Sequence, residues 1–220
     1  MATQQTAPPA VPRTRGSVVL PNTDWKTYRR LLKAFADQPG VRLTYDRGDL
    51  EIMSPSFVHD SSGRFLGRLV VTLTEELGLQ ILPGGSTTLR RRLRRRGIEP
   101  DECFWIQNEA AVRGVPRLNL RVHPPPDLAI EVDVTNSSLD RMGIYAALGI
   151  PEVWRLDGAR LTFQELGADG RYAERPTSRA FLRITPADLV RFLNQRRRDG
   201  DNETVRQVRA WVRQLPPPTP

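Results

Sequence analysis

An α/β fold with a mixed central sheet flanked by helices is what this sequence predicts, on three observations. The segments run helix, hairpin, helix, strands, helix, strand, the alternation of a layered domain rather than of separate all-α or all-β units. The helical segments repeat apolar residues three and four apart, as in Trp25, Tyr28, Leu31, Leu32 and Phe35. The strand segments alternate, most clearly over residues 127–134. There Leu128, Ile130, Val132 and Val134 share one face, and Asp127, Ala129, Glu131 and Asp133 share the other.

Each element has a local reason. Asn22-Thr23-Asp24 caps the first helix and Gln38-Pro39-Gly40 stops it. Val41–Tyr45 and Leu50–Met53 read as strands joined by the turn Asp46-Arg47-Gly48-Asp49. After the break at Ser54-Pro55-Ser56, a long helix starts near His59 and ends at Gly78, with Phe65, Leu66, Leu69, Val70, Leu73 and Leu77 on its apolar face. Two short strands flank an arginine run, and residues 97–106 read as one further strand with Asp101 near its start. A Pro-rich loop then leads to the acidic strand. Asn136-Ser137-Ser138 is the expected cap of a helix over Leu139–Leu148, closed by Gly149. Strands follow at 151–156 and 160–165 around Asp157-Gly158, with another turn at Asp169-Gly170 before Tyr172. Helices are expected at 186–195 and 203–215. The expected organisation is a disordered tail over 1–18, one domain over 19–195, a helical extension over 196–215 and a frayed end over 216–220.

The 220 residues suffice for one sizeable core. No apolar run is long enough to span a bilayer and no signal segment opens the chain, so a cytoplasmic protein is expected. A single Cys103 excludes an internal disulfide framework and a multi-cysteine zinc site. Formal net charge is +8, which favours a polyanionic partner. Among the basic residues, Arg90, Arg91, Arg92, Arg94, Arg95 and Arg96 surround Leu93, and Arg196, Arg197 and Arg198 form a second cluster. Such a run is either a solvated hairpin edge that blocks pairing or a rim that contacts phosphates. Arg90, Arg91, Arg94, Arg95 and Arg96 are the candidates for nucleic-acid binding.

The acidic strand carries the chemistry. Buried carboxylates are costly unless a metal, a base or a donor cluster meets them. Asp101 with Asp127, Glu131 and Asp133 can converge if their strands are neighbours. Oxygen ligands, with one cysteine and two histidines in the chain, favour magnesium or manganese over zinc. The alternative is that some of these acids pair with arginines in a structural network. His59 opens a helix, where it either makes a capping hydrogen bond or serves as a base near neutral pH. Arg141 shares a helix face with Tyr145, as the partner of a strand carboxylate or as the cation facing a phosphate. Trp105, Tyr145 and Trp154 have the spacing of core residues.

Four ordered segments resemble one family. They are Leu50-Glu51-Ile52-Met53-Ser54-Pro55 with His59, then Pro100-Asp101, then Pro126-Asp127-Leu128-Ala129-Ile130-Glu131-Val132, and last Tyr145-Ala146-Ala147-Leu148-Gly149-Ile150-Pro151-Glu152-Val153-Trp154. Together they resemble the Uma-two family of the PD-(D/E)XK superfamily, over roughly residues 20–195. The resemblance implies a restriction endonuclease-like core and a metal-dependent nuclease acting on DNA. It further implies a magnesium or manganese ion held by Asp101 and Glu131, and a catalytic set drawn from Asp101, Glu131, Asp133, Arg141 and His59. In that superfamily a lysine follows two positions after the glutamate, or comes from the next helix. Here those positions hold Asp133 and Arg141. Either the metal and a carboxylate activate water with Arg141 as an electrostatic clamp, or the fold persists without strong activity. A homodimer is expected, because cutting two strands needs two sites. The competing functions are an inert nucleic-acid-binding or protein-interaction module, and a structural oligomer.

Overall fold

The computed structural model of the protein describes residues 16–38, 40–133 and 139–216. Strand β1 (Ser17–Leu20) precedes helix α1 (Trp25–Ala34), the hairpin β2 (Arg42–Asp46) and β3 (Asp49–Met53), and the long helix α2 (Phe57–Glu76). Then come β4 (Leu82–Pro83), β5 (Leu89–Arg91), a 3-10 turn (Arg92–Arg94), β6 (Arg96–Ile98), β7 (Glu102–Trp105) and the short α3 (Glu109–Val112). The remainder is β8 (Leu128–Asp133), α4 (Arg141–Leu148), β9 (Glu152–Asp157), β10 (Arg160–Leu166), β11 (Tyr172–Arg175), α5 (Pro186–Asp199) and α6 (Asp201–Arg213).

The predicted mixed sheet is present, in the order β11-β10-β9-β8-β7-β4, with β8 and β9 parallel and its other pairs antiparallel. A second, antiparallel sheet accompanies it, in the order β1-β3-β2-β6-β5. The segment 97–106, expected as one strand, is divided between the two sheets. Pro100 has no amide hydrogen to donate to a ladder, and at Glu99-Pro100-Asp101 the chain leaves β6 in one sheet and enters β7 in the other.

Helix starts follow side-chain capping. The Asp24 carboxylate accepts from Thr27 N at 2.6 Å, the Ser56 hydroxyl accepts from His59 N at 3.3 Å, and Thr185 and Asp188 form a capping box on α5. At α4 the cap is Asp140, which accepts from Gly143 N at 2.9 Å. The expected cap at Asn136-Ser137-Ser138 lies outside the described residues, as do residues 1–15 of the expected tail, Pro39 of the expected helix stop, and 217–220. Helix α5 runs four residues further than expected, α6 starts and ends two residues earlier, and the two break only at Gly200.

Three apolar clusters fix the layers. On one face of the mixed sheet, Leu128, Ile130 and Val132 pack with Phe65, Leu69 and Leu73 of α2, Phe192 of α5 and Val208 of α6. On the other face, Ala129 and Val153 pack with Ile144, Tyr145 and Leu148 of α4 and with Leu89 and Ile98 of the second sheet. The outer face of that second sheet is covered by α1 through Tyr28, Leu43, Tyr45 and Leu50. The predicted division of β8 into an apolar and an acidic face is therefore the division between these layers. No helix among the described residues is long and apolar enough to cross a membrane.

Candidate active site

Glu131 lies mid-strand on the α4 side of β8 and is buried. Its Oε2 accepts from the Tyr145 hydroxyl at 2.5 Å, and its Oε1 pairs with Arg141 Nε. Arg141 is buried too. Its second nitrogen, Nη1, donates to Glu51 Oε2 and to Thr44 Oγ1, each at 3.1 Å. Thr44 and Glu51 are cross-strand partners in the β2–β3 hairpin. Their side chains point away from the face that α1 covers, so one guanidinium ties the two sheets together. Burial opposes the charge on Arg141, but Glu131, then Tyr145 and Glu51, hold its proton more tightly than usual. The Tyr145 hydroxyl is kept protonated by burial and by the Glu131 charge beside it.

A second group stands at the end of the same strand. Asp101 is buried, and its Oδ2 accepts from Val132 N at 2.7 Å. Its β-carbon sits against α2. A Cβ at Gly63 would lie 3.2 Å from it, so glycine there lets the helix approach the acid. The His59 ring, buried as well, has Nε2 2.7 Å from the Val132 carbonyl oxygen and 3.4 Å from Asp101 Oδ2. A carbonyl only accepts, so Nε2 donates to it. Nδ1 lies 3.5 Å from Asp60 Oδ1 and is buried without a hydrogen-bond partner. Arg42 Nη2 is 3.8 Å from the same Asp60 oxygen. The Asp101 carboxyl is pushed up to about 8, first by burial and then by the charge on Glu131, against the pull of the Val132 hydrogen bond, Arg141 and Arg42.

One ligand atom from each of His59, Asp60 and Asp101 lies within 4.8 Å of the others, the spacing of donors around one ion with bonds of about 2.0–2.5 Å. A buried imidazole nitrogen with no hydrogen-bond partner, turned to a carboxylate, is also a pair of donor atoms that a cation can join. These residues fit a divalent ion. Glu131 is not in that cluster, because Arg141 and Tyr145 occupy both its oxygens. Of the three residues expected to grip one ion, Asp101 stands in this cluster, while Glu131 and Asp127 have other partners. Glu131 acts on Asp101 through its charge.

Asp127 precedes β8 and points elsewhere. It accepts from Ile106 N at 2.7 Å, Asn108 N at 2.9 Å and Asn108 Nδ2 at 2.5 Å. Its oxygens hold the turn after β7, and it is not among the clustered ligand atoms. Asp127→Ala would strand the buried Ile106 amide, and a loss of about 1–3 kcal/mol is expected in urea unfolding. Arg155 Nε of β9 pairs with Asp133 Oδ2, and Asp133 is not among the clustered ligand atoms. Of the arginine run, Arg96 donates to Asp46 Oδ1 at 2.8 Å. Arg94 and Arg95 are exposed at the hairpin tip, while Arg90 and Arg91 are half-buried on β5. Glu51, Asp60, Arg42 and Thr44 were not expected in the site. For Glu51 a signal existed, since an acid between Leu50 and Ile52 alternates as Glu131 does.

Three comparisons bear on what kind of protein this site defines. A family model described as "Uma2: Putative restriction endonuclease" matches residues 25–194. The chain belongs to that family. No curated protein matches it. A crystal structure described as that of a "putative nuclease belonging to DUF820" from Anabaena variabilis ATCC 29413 is similar at 14% identity, over 82% of this chain and 98% of that one, with a TM-score of 0.43.

Proposed function

We propose that the protein is a divalent-metal-dependent endonuclease that hydrolyses phosphodiester bonds in DNA. The observation that carries this reading is the buried His59–Asp101 pair with Asp60 at the end of β8, whose ligand atoms have ion-binding spacing. Membership of the Uma2 family supports the reaction class, and the net charge of +8 suits a polyanionic substrate. His59, Asp60 and Asp101 would hold the ion. When bound there, a divalent cation supplies an activated water and neutralises charge developing on a phosphoryl oxygen. One imidazole among the carboxylates tilts the set from magnesium toward manganese. Asp60, 46% exposed at its side chain, leaves the cluster open to solvent and substrate. Val132 holds both partners, accepting from His59 and donating to Asp101. Arg141 remains charged and cannot act as the base; it fixes Glu131, whose field acts on Asp101.

The test is incubation of supercoiled plasmid with the purified protein and manganese or magnesium, beside the Asp101→Ala and His59→Ala variants. Nicking that EDTA abolishes, and that falls about a thousandfold or more in both variants, is the expected result; several kcal/mol of lost charge stabilisation corresponds to that factor. Cleavage indifferent to EDTA or to both substitutions removes the reading. A second reading also has an observation behind it. Arg141 neutralises Glu131 and also pairs with Glu51, and neither position 133 nor position 141 is lysine. This favours an inert binding module on the same fold, which would retain DNA in a salt-sensitive way with EDTA present and nick none with manganese.

A further inference from the structure

The basic residues are unevenly neutralised. Arginines at fourteen positions, from Arg42 to Arg213, sit in ion pairs. A groove of about 1170 Å³ between α1, the β5–β6 hairpin and the loop before β8 collects others that do not. Helix α1 gives it Arg29 and Lys33, the hairpin gives Arg90 to Arg92, and the loop gives Arg117 and Arg121. None of these makes an ion pair among the described residues, and no carboxylate is among the groove's lining residues. Arg91 Nε is buried without an acceptor.

The walls are preformed. The loop is tied by Asn119, whose carbonyl accepts from Val122 N at 3.0 Å and His123 N at 2.9 Å. Leu118 and Leu120 anchor it in the core, and Trp105 Nε1 donates to the Pro124 carbonyl at 3.0 Å. Apolar side chains also line the groove: Trp25, Leu32 and the largely exposed Val122. Seven like charges held this close repel one another in the free protein, and a chain of phosphates relieves all of them together.

We infer that this groove is a binding site for a single-stranded segment of nucleic acid, separate from the acidic cluster. Cations on three walls face one slot, which suits a flexible strand entering it better than a duplex resting on its rim. The apolar lining offers surface to unstacked bases. The choice of nucleic acid over another polyanion rests on the nuclease reading; the charge of the groove does not. No groove residue belongs to the acidic cluster, so the two proposals can fail separately.

The experiment is anisotropy of a labelled oligothymidine at 50–200 mM salt with EDTA present. Variants are Arg117→Glu/Arg121→Glu, the milder Arg117→Gln/Arg121→Gln, and Arg160→Glu as an exposed charge change elsewhere. The groove variants should bind about tenfold or more weakly, with a salt slope shallower by about 1–2, while Arg160→Glu stays within about twofold of the parent. Equal weakening by all variants, no weakening by the groove variants with melting temperatures unchanged, or tighter binding of a duplex of the same length would overturn the inference. Manganese-dependent hydrolysis of bis(p-nitrophenyl) phosphate, read on the same protein preparations without EDTA, reports on the acidic cluster alone.

Discussion

Arg141→Met is expected to destabilise the protein by about 3–5 kcal/mol, read as a lower midpoint in urea, because it leaves the buried Glu131 carboxylate without its cation. Glu131 would keep only the Tyr145 hydroxyl, and Glu51 would lose a guanidinium bond at 3.1 Å. Adding Glu51→Gln and Glu131→Gln to Arg141→Met should recover much of the loss, since neutral amides in the same places carry no uncompensated charge. Arg141→Lys should fall between the two. One ammonium on a thinner stem cannot reach Glu131, Glu51 and Thr44 in the same fork. A loss below about 1 kcal/mol, or no recovery in the triple variant, would mean that Arg141 does not hold the two sheets together.

Asp101→Asn should change how the metal-free protein responds to pH. The carboxyl is pushed up to about 8 in the folded state, against an ordinary value near 4 in the unfolded chain. The folded protein therefore binds this proton more tightly. The stability it contributes is complete below about pH 4 and is lost as pH rises to about 8. Asparagine has no such proton. The variant and its parent should melt together in acid, and the variant should melt higher from neutral pH upward, with a gap that widens to about pH 8. Parallel melting curves across that range would show that Asp101 ionises as freely folded as unfolded. The same substitution removes a proposed ion ligand, so the stabilised variant should also show weaker manganese binding by calorimetry.

The part of the site that was legible in the sequence is the part written within one strand. Period-two alternation put Glu131 on one face of its strand and Ile130 and Val132 on the other, and helical spacing put Arg141 and Tyr145 on one face. Asp127 misled because alternation describes strand residues, and Asp127 stands one position before the strand, where turn amides claim its oxygens. Asp133 does share the acidic face, but Arg155 on the neighbouring parallel strand claims it, and nothing local signals that pairing. Glu51, Thr44, Arg42 and Asp60 reach the site through a hairpin and a helix start 41 to 97 positions away from their partners Asp101 and Arg141. The second sheet was missed for a related reason. Residues 97–106 are apolar enough to read as one strand, and only Pro100 marks where the chain changes sheets.

That change of sheets has a mechanical consequence. The Glu99 carboxylate accepts from Leu43 N at 3.0 Å and from the Thr88 hydroxyl at 2.7 Å, while two residues later Asp101 takes the amide of Val132. Three consecutive residues thus rivet both sheets at their seam, and the rigid ring of Pro100 sets the spacing between the rivets. Neither sheet can slide along the other without tearing one of these bonds, so the seam behaves as a welded joint where a flexible linker would have allowed play.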